Sequence, residues 1–381
     1  MPRIRLGMVG GGQGAFIGGV HRMAARLDDA FEMVCGALSG DPARARESGV
    51  AIGLALARSY GSYAEMFAAE AARPDGMEAV AIVTPNHLHA PVARAAMAAG
   101  LHVICDKPMT SEVSDAEELA RLAAASGRVF AVTYNYSGYA MVRQARAMVA
   151  AGVLGAIRVV RVEYAQGWLA DALEATGQKQ AEWRTDPARS GAGGAIGDIG
   201  THAFHLAGFV TGLAPEAVLA DLSTHVAGRR LDDDAQVLLR YAGGARGSLW
   251  ACQVAHGHAN DLRLRVYGAS GGLEWRQEEP DHLWFTPAGE PPRLVMRGGA
   301  GAGAEATRVT RVPGGHPEGY LEAFGTIYAE VARAIRGERD AVYPTVEDGL
   351  AGVRFVAATV RSSTQGATWV RLQPASAASI A

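Results

Sequence analysis

Asp198 and His202 stand four residues apart in "GAIGDIGTHAFHLAGF" (194–209), a stretch that is otherwise apolar and helical in its spacing. In a helix, the two side chains lie one turn apart on the same face. The pair is then either a hydrogen-bonded structural pair in a helix or an acid–base pair directed into a cleft. A metal site with His205 needs a further ligand cluster, which the sequence lacks, so we predict no metal.

A glycine-rich turn, "GGGQGAFIGGVHR" (10–22), follows the first apolar segment. Gly10 and Gly12 fit the first two positions of G-x-G-x-x-G, whereas Gly18 arrives three residues late. Such glycines allow a tight turn, and the next helix then offers its free N–H groups to a pyrophosphate. A purely structural turn is the alternative. The position after a first strand favours dinucleotide binding.

The second apolar segment ends in "GALSGDPARAR" (36–46), where an acid that reads the adenosine ribose is expected. Ser39 occupies that position and Asp41 follows two residues later. Arg44 and Arg46 either approach a 2′-phosphate or lie on a solvated helix face. We therefore expect NAD as the cofactor, with NADP not excluded.

Two further segments end in "TPNHLHAP" (84–91) and "CDKP" (105–108). Lys107 follows a buried run and precedes Pro108, which fixes the turn. A solvated strand-end lysine is the alternative, but this setting favours a functional lysine near the cofactor. His87 and His89 either line the cofactor site or bond at a helix start.

The first third of the chain alternates short apolar runs with helical segments. The runs 4–10, 31–38, 79–85, 102–108 and 129–135 are typical of strands buried on both faces. Strand–helix alternation predicts a parallel sheet, which binds ligands at the carboxyl ends of its strands. After about residue 136, a helix and then consecutive strands predict a largely antiparallel sheet in an α+β half.

Length and composition fit a soluble globular protein of two domains, since the chain has 381 residues, 49% of them hydrophobic and 20% charged. A net charge of −3 argues against nucleic acid or an anionic membrane as partner. Cys35, Cys105 and Cys252 form no CxxC pair, so we expect buried thiols rather than disulfides or zinc. The sequence shows no signal peptide or membrane span, which makes the cytoplasm the expected compartment.

The quoted motifs, "VTPNHLHAPVARAAMAAGLHVICDKP" and "WRTDPARSGAGGAIGDIGTHAFHL" among them, resemble the glucose–fructose oxidoreductase, inositol dehydrogenase and MocA family over roughly residues 3 to 372. The resemblance implies an α/β fold, with a Rossmann doubly wound parallel sheet in residues 1–135. A C-terminal α+β domain with a large, mostly antiparallel open sheet would occupy residues 136–372 and form a homodimer or homotetramer. We expect a disordered tail at 373–381.

By the same resemblance, Lys107, Asp198 and His202 match the catalytic residues of the family. In such enzymes the histidine accepts a proton while the lysine and the aspartate orient the reacting carbinol. The expected cofactor-binding residues are Gly10, Gly12, Gln13, Gly14, Ala15, Ser39, Thr84, Pro85, Asn86, His89, Asp106 and Lys107.

The expected substrate-binding residues are Lys107, Tyr136, Trp183, Arg184, Asp198 and His202. An indole face suits a sugar ring, and an arginine binds hydroxyl or anionic groups. Packing alone is the alternative for Tyr136 and Trp183. His205 stands where relatives often carry an acid, so the distal substrate contacts are expected to differ.

Three functions fit these residues. The first is an NAD(P)-dependent dehydrogenase acting on a secondary hydroxyl of a cyclic sugar, glycoside or inositol. The second is a glycosidase that oxidises C3 transiently, eliminates the glycosidic bond and regenerates its cofactor. The third, a nucleotide-sensing regulator, has no need of the base that Lys107, Asp198 and His202 together would provide.

Overall fold

The computed structural model describes residues 1–372, so the tail predicted at 373–381 lies outside the described residues. The chain divides into two compact units, each made from two separate segments. Unit 1 consists of Met1–Asn135 and Tyr320–Leu350, and unit 2 consists of Tyr136–Gly319 and the described residues 351–372. Segment 320–350, which the sequence placed in the second domain, therefore belongs to the first unit.

The strands are β1 (Ile4–Gly10), β2 (Phe31–Ala37), β3 (Ala79–Val83), β4 (His102–Cys105), β5 (Phe130–Val132), β6 (Ile157–Ala165), β7 (Pro215–Ser223), β8 (Asp234–Tyr241), β9 (Arg246–Cys252), β10 (Asp261–Gly268), β11 (Gly271–Arg276), β12 (His282–Pro287), β13 (Arg293–Met296) and β14 (Val370–Arg371). The α-helices are α1 (Phe16–Leu27), α2 (Pro42–Ala51), α3 (Tyr63–Ala71), α4 (His89–Ala98), α5 (Val113–Ser126), α6 (Ala140–Ala150), α7 (Lys179–Arg184), α8 (Pro187–Ser190), α9 (Thr201–Thr211), α10 (Ala304–Val309), α11 (Tyr320–Ile335) and α12 (Val346–Thr364).

Unit 1 contains a five-stranded sheet in the order β2-β1-β3-β4-β5, with every neighbouring pair parallel. Each residue of β3 is buried, as expected for a strand covered on both faces. The predicted parallel sheet is confirmed. Because β1 has β2 on one side and β3 on the other, the strand order reverses there, and such a reversal is where doubly wound sheets bind nucleotides.

Helix α11 completes the core of unit 1 although it lies far along the chain. Its residues Phe324 and Tyr328 are buried with Leu6 and Met8 of β1 in one apolar cluster. His21 of α1 is fully buried, with Nδ1 2.8 Å from the Tyr328 hydroxyl. Burial lowers the pKa of His21 to about 4, so this imidazole is neutral at pH 7. The apolar face of α11 thus explains why segment 320–350 joins the first unit.

Unit 2 contains a nine-stranded sheet in the order β13-β12-β11-β10-β6-β9-β8-β7-β14. Its pairs are antiparallel except for β6 and β9, which are parallel, so the predicted mostly antiparallel sheet is confirmed. Helix α9 packs on β6, β9 and β10. Along β8, buried Val237 and Leu239 alternate with exposed Gln236 and Leu238, so one face of the strand packs inward.

The three cysteines agree with the expectation of buried thiols. Cys35, Cys105 and Cys252 are buried free thiols, and burial raises the pKa of each, so all three are protonated at neutral pH. They therefore behave as small hydrophobic side chains.

Within residues 1–372, none of the helices has the length and apolar character that spanning a bilayer requires.

Candidate active site

The turn after β1 takes its shape from glycine backbone. Gly10, Gly11 and Gly14 have φ angles of +80°, +72° and +76°, a region that side chains with a Cβ rarely adopt. Gly12 requires glycine for a different reason, because a Cβ there would lie 2.5 Å from the Leu38 carbonyl oxygen. The turn therefore brings bare backbone to the carboxyl end of β1.

Gly18, which comes three residues late in the motif, has a defined role in the structure. A Cβ on Gly18 would lie 2.2 Å from the Gly11 carbonyl oxygen and 2.4 Å from its Cα. Helix α1 therefore packs directly against the turn, which is the close approach that the third glycine of a dinucleotide-binding motif permits. The longer spacing keeps this contact while adding residues to the turn.

The start of α1 fits the phosphates of a dinucleotide. Its N-cap is Ala15, which has no side chain able to accept from the first N–H groups, and the first turn carries no acidic residue. A helix start without a cap presents several N–H donors and the positive end of the helix dipole. Residues 10–18 can therefore hold a pyrophosphate.

The segment after β2, where the sequence predicts contact with the adenosine ribose, is held by hydrogen bonds between neighbouring residues. The Ser39 hydroxyl accepts from the Asp41 N–H at 3.2 Å, and the Asp41 carboxylate caps α2 by accepting from the Arg44 N–H at 2.7 Å. The Arg44 guanidinium turns back toward the glycine turn and lies 3.4 Å from the Gln13 carbonyl oxygen. Arg46 instead pairs with a glutamate of α3. Arg44, not Arg46, is thus the cation placed near the glycine turn.

The carboxyl end of β4 places Lys107 on a supported turn. The Asp106 carboxylate accepts from the Lys107 N–H at 2.8 Å and from the Thr133 hydroxyl at 2.9 Å. Lys107 is half-buried, and its bond to Pro108 is cis. Asp106 therefore fixes the backbone from which the lysine side chain extends.

His89 joins the ends of two strands in unit 1. Its Nδ1 lies 2.9 Å from the Pro108 carbonyl oxygen and its Nε2 lies 2.8 Å from the Thr84 carbonyl oxygen. Burial lowers the pKa of His89, against the opposing effects of Asp106 and the two carbonyls. Both ring nitrogens face the backbone, so the ring supports the strand ends that the sequence assigned to the cofactor.

In unit 2, Asp198 lies in a π-helical turn, Ile196–Gly200, that runs directly into α9. Turns of this kind recur at functional sites. The Asp232 carboxylate holds the start of the turn, accepting from the Gly194 N–H at 2.6 Å and the Ile196 N–H at 2.8 Å. Burial raises the pKa of Asp232 to about 6 although both N–H groups oppose the rise.

The Asp198 carboxylate is held by side chains from two other segments. Gln253 donates to its Oδ2 at 2.9 Å, and Nε of Arg184 lies 3.3 Å from the same oxygen. The Arg184 guanidinium lies 4.2 Å from the centre of the Trp183 ring. The structure thus brings the predicted residues Asp198, Trp183 and Arg184 together. The Arg184 guanidinium contacts both the Asp198 carboxylate and the Trp183 indole ring.

His202 is buried on α9 among aromatic rings. The Tyr136 ring lies 4.8 Å from the imidazole, centre to centre, at an interplanar angle of 83°, and the Tyr164 ring lies at 6.3 Å. His205, one turn further on, is also buried and stacks on Phe209 at 5.9 Å. The helix therefore directs His202 toward tyrosine rings and His205 toward a separate aromatic contact.

Sequence reasoning missed several residues of this site: Tyr164, Gln253, Asp232 and Asn260, whose Oδ1 accepts from the Tyr164 hydroxyl at 2.7 Å. The first three occur at or next to strand ends of the nine-stranded sheet, with Asn260 in the residue before β10. Gln253 directly follows an apolar run, and Asp232 is the first of three aspartates that lead into β8; each is a weak signal for a buried polar side chain. Their contacts with the helix depend on the sheet order, which the local pattern does not contain.

Comparisons with known proteins show the family to which the chain belongs. The model of the oxidoreductase family with an NAD-binding Rossmann fold, GFO_IDH_MocA, matches residues 4–134, and the model of the GFO/IDH/MocA C-terminal domain matches residues 142–274. The chain is 35% identical over 382 residues to the uncharacterized oxidoreductase YfiI of Bacillus subtilis, with 97% of each protein covered.

Solved structures give the same result. The crystal structure of an oxidoreductase from Sinorhizobium meliloti is 50% identical with a TM-score of 0.89, covering 97% of this chain and 100% of that one. An inositol dehydrogenase homolog from Azotobacter vinelandii, complexed with NADH and myo-inositol, is 38% identical with a TM-score of 0.91, covering 97% of both chains. The chain therefore belongs to the GFO/IDH/MocA family of oxidoreductases and has its NAD-binding Rossmann fold.

Proposed function

We propose that the protein is an NAD-dependent dehydrogenase that oxidises a secondary hydroxyl of a cyclic polyol or sugar. One observation carries the proposal: a chain with an NAD-binding Rossmann fold holds His202 buried on a helix, one turn after an Asp198 carboxylate supported by Arg184 and Gln253. An alcohol loses hydride only if its hydroxyl proton also leaves, so a base is required. The complex of the Azotobacter vinelandii relative with NADH and myo-inositol supports the substrate class.

In the proposed reaction, His202 accepts the hydroxyl proton as the carbinol C–H bond breaks and the carbonyl forms. NAD, when bound, would supply the hydride acceptor. Asp198 keeps the polar groups around the base oriented, and the Lys107 ammonium stabilises the negative charge that develops on the oxygen. Proton, hydride and carbonyl product then balance without a further reactant.

The predicted cofactor residues divide by role in this proposal. Residues 10–15 would hold the pyrophosphate, Ser39 would contact the adenosine ribose, and Thr84–Asn86 with Asp106 and Lys107 would contact the nicotinamide half. His89 acts through the backbone, since its ring nitrogens face carbonyl oxygens. Trp183 and Arg184 form part of the sugar pocket, where the indole face packs on a ring and the guanidinium contacts hydroxyl groups.

We also propose a homo-oligomer formed through the exposed face of the nine-stranded sheet. Leu238, Tyr267 and Trp284 are 50%, 42% and 43% exposed on β8, β10 and β12, which is unusual for large apolar side chains on one sheet face. Covering them would remove this apolar surface from water. Light scattering on the purified chain should give a dimer or tetramer mass, and Leu238→Lys should lower it.

The function is tested by incubating the protein with NAD or NADP and a panel of inositols, free sugars and aryl glycosides. We expect reduced nicotinamide to accumulate with at least one cyclic polyol or sugar, in proportion to the carbonyl product. Release of the aryl group without net cofactor reduction would identify the glycosidase instead.

Lys107→Met provides the matched variant for this test, because it removes the ammonium with little change in length. We expect a large loss of turnover and an unchanged melting temperature. A variant that mainly loses thermal stability would place Lys107 in a structural role.

A further inference from the structure

The hydroxyl groups of the two tyrosines beside His202 belong to one hydrogen-bonded network. Tyr164 donates to Oδ1 of Asn260 at 2.7 Å, Nδ2 of Asn260 donates to the Tyr136 hydroxyl at 3.2 Å, and the two tyrosine hydroxyls bond to each other. Tyr136 and Tyr164 are only 3% and 2% exposed. Three side chains from distant parts of unit 2 therefore close a ring of three hydrogen bonds.

The direction of each bond follows from one group that can only donate. The Trp168 indole N–H donates to Oε1 of Gln166 at 3.0 Å, which leaves the Gln166 amide nitrogen to donate to Oδ1 of Asn260 at 2.7 Å. Nδ2 of Asn260 then points to Tyr136. Since the single Tyr164 proton goes to Asn260, Tyr136 must donate the bond between the two hydroxyls.

This order of donors leaves the Tyr136 hydroxyl without a proton for a substrate. Its one proton goes to Tyr164, and one of its acceptor sites is used by Asn260. Its ring lies edge to face with the His202 imidazole at 4.8 Å, and the Tyr164 ring lies 6.3 Å from the same imidazole, centre to centre. The network thus fixes two rings that limit how the imidazole can rotate.

We propose that Tyr136, Tyr164 and Asn260 are positioning residues that hold the His202 imidazole in one orientation. This inference rests on the proposed function, in which His202 accepts the substrate proton. It assigns Tyr136 to the support of the base, where the sequence had placed it among substrate contacts. Proton transfer needs an aligned acceptor, and a displacement of about 1 Å can reduce a rate by on the order of 100-fold.

The spectroscopic test uses the full chain without substrate, with its histidine ring nitrogens labelled for NMR. His202→Gln identifies the His202 signals. Tyr164→Phe opens the ring of bonds with the smallest change in shape, and Tyr241→Phe, a buried tyrosine on β8, is the matched control. We expect the His202 signals to shift or broaden in Tyr164→Phe and to stay unchanged in Tyr241→Phe.

This arm decides the proposal even if no polyol is oxidised, because it needs no turnover. Unchanged His202 signals in a folded Tyr164→Phe variant would overturn it. If that variant does not fold, Asn260→Leu breaks two of the three bonds at a half-buried position and is judged by the same signals.

The kinetic arm uses myo-inositol and NAD as probes. We expect Tyr136→Phe and Tyr164→Phe each to lower kcat about tenfold while KM for either compound changes by less than about twofold. The double variant should lose little more than either single variant, because one opened bond already breaks the ring. A raised KM for myo-inositol with kcat unchanged in Tyr136→Phe would show that the Tyr136 hydroxyl contacts the substrate, and would contradict the proposal.

Absence of myo-inositol oxidation by the unmodified protein has a different meaning. It counts against this substrate, and together with inactivity across the panel it counts against the proposed function. The positioning role of the tyrosines is then decided by the NMR signals of the His202 ring nitrogens alone.

Discussion

The glycine turn of unit 1 and the Asp198 turn of unit 2 hold their shapes by opposite means. In the first, backbone packs on backbone, with Gly18 against Gly11 and positive φ angles at Gly10 and Gly14. In the second, the buried Asp232 carboxylate anchors the turn through two N–H groups. A substitution should therefore damage the first region by adding atoms and the second by removing a polar group.

The largest effect is expected at His202. His202→Gln keeps a polar side chain of similar reach but removes the base, so turnover should fall by about 100-fold or more. NAD binding should change little, because all of the proposed cofactor residues lie in unit 1. Steady-state rates and NAD titration measure the two effects, and near-normal turnover in the folded variant would remove His202 from the mechanism.

Asp232 should make unit 2 less stable as the pH rises. Its folded pKa of about 6 exceeds the ordinary value, so the native state binds a proton that the unfolded state has already lost between about pH 4 and 6. The free energy of unfolding should fall across this window by up to about 3 kcal/mol from this group.

Denaturant titrations over that pH range measure the slope. Asp232→Asn should flatten it, whereas Asp221→Asn, at an exposed position of β7, should leave it intact. Equal slopes in all three proteins would show that the buried carboxylate does not titrate as expected.

Two adjacent glycines of α1 test the backbone packing in unit 1. Gly18→Ala places a Cβ against backbone atoms and should destabilise the protein by roughly 2 kcal/mol, while weakening NAD binding. Gly19→Ala should be neutral or stabilising by about 0.5–1 kcal/mol, because its Cβ would meet nothing closer than an arginine side chain at 3.9 Å and alanine favours helix. Thermal unfolding and NAD titration of both variants decide the point, and equal stabilities would contradict the packing argument.

The smallest effect is expected at the ribose end. We expect NAD to be preferred over NADP by a margin of about tenfold, or about 1.4 kcal/mol, because the nearby Asp41 carboxylate repels a 2′-phosphate more strongly than Arg44, further along the chain, attracts it. Ser39→Asp should widen the margin by weakening NADP alone. Steady-state constants for both cofactors provide the measurement, and a parent that prefers NADP would show that Arg44 binds the 2′-phosphate.

The same contrast explains what the sequence could predict. The parallel sheet and the glycine turn follow from local patterns, because each is encoded within a few consecutive residues. The spacing of Asp198 and His202 indicated a helix. No pattern in the sequence indicated that Asp198 would lie in a π-helical turn. Gln253 and Asn260 could not be found, because their contacts depend on which strands become neighbours.

The place of α11 has a consequence for how the protein is made. Unit 1 cannot close its core until Phe324 and Tyr328 are available, and on the order of 180 residues of unit 2 are synthesised before them. Because synthesis adds about 5–20 residues per second, the apolar side of β1 and α1 stays uncovered for roughly 10 to 40 s before α11 is made. The nascent first domain therefore exposes apolar surface until α11 is synthesised, and a fragment ending at residue 135 would lack part of its own core.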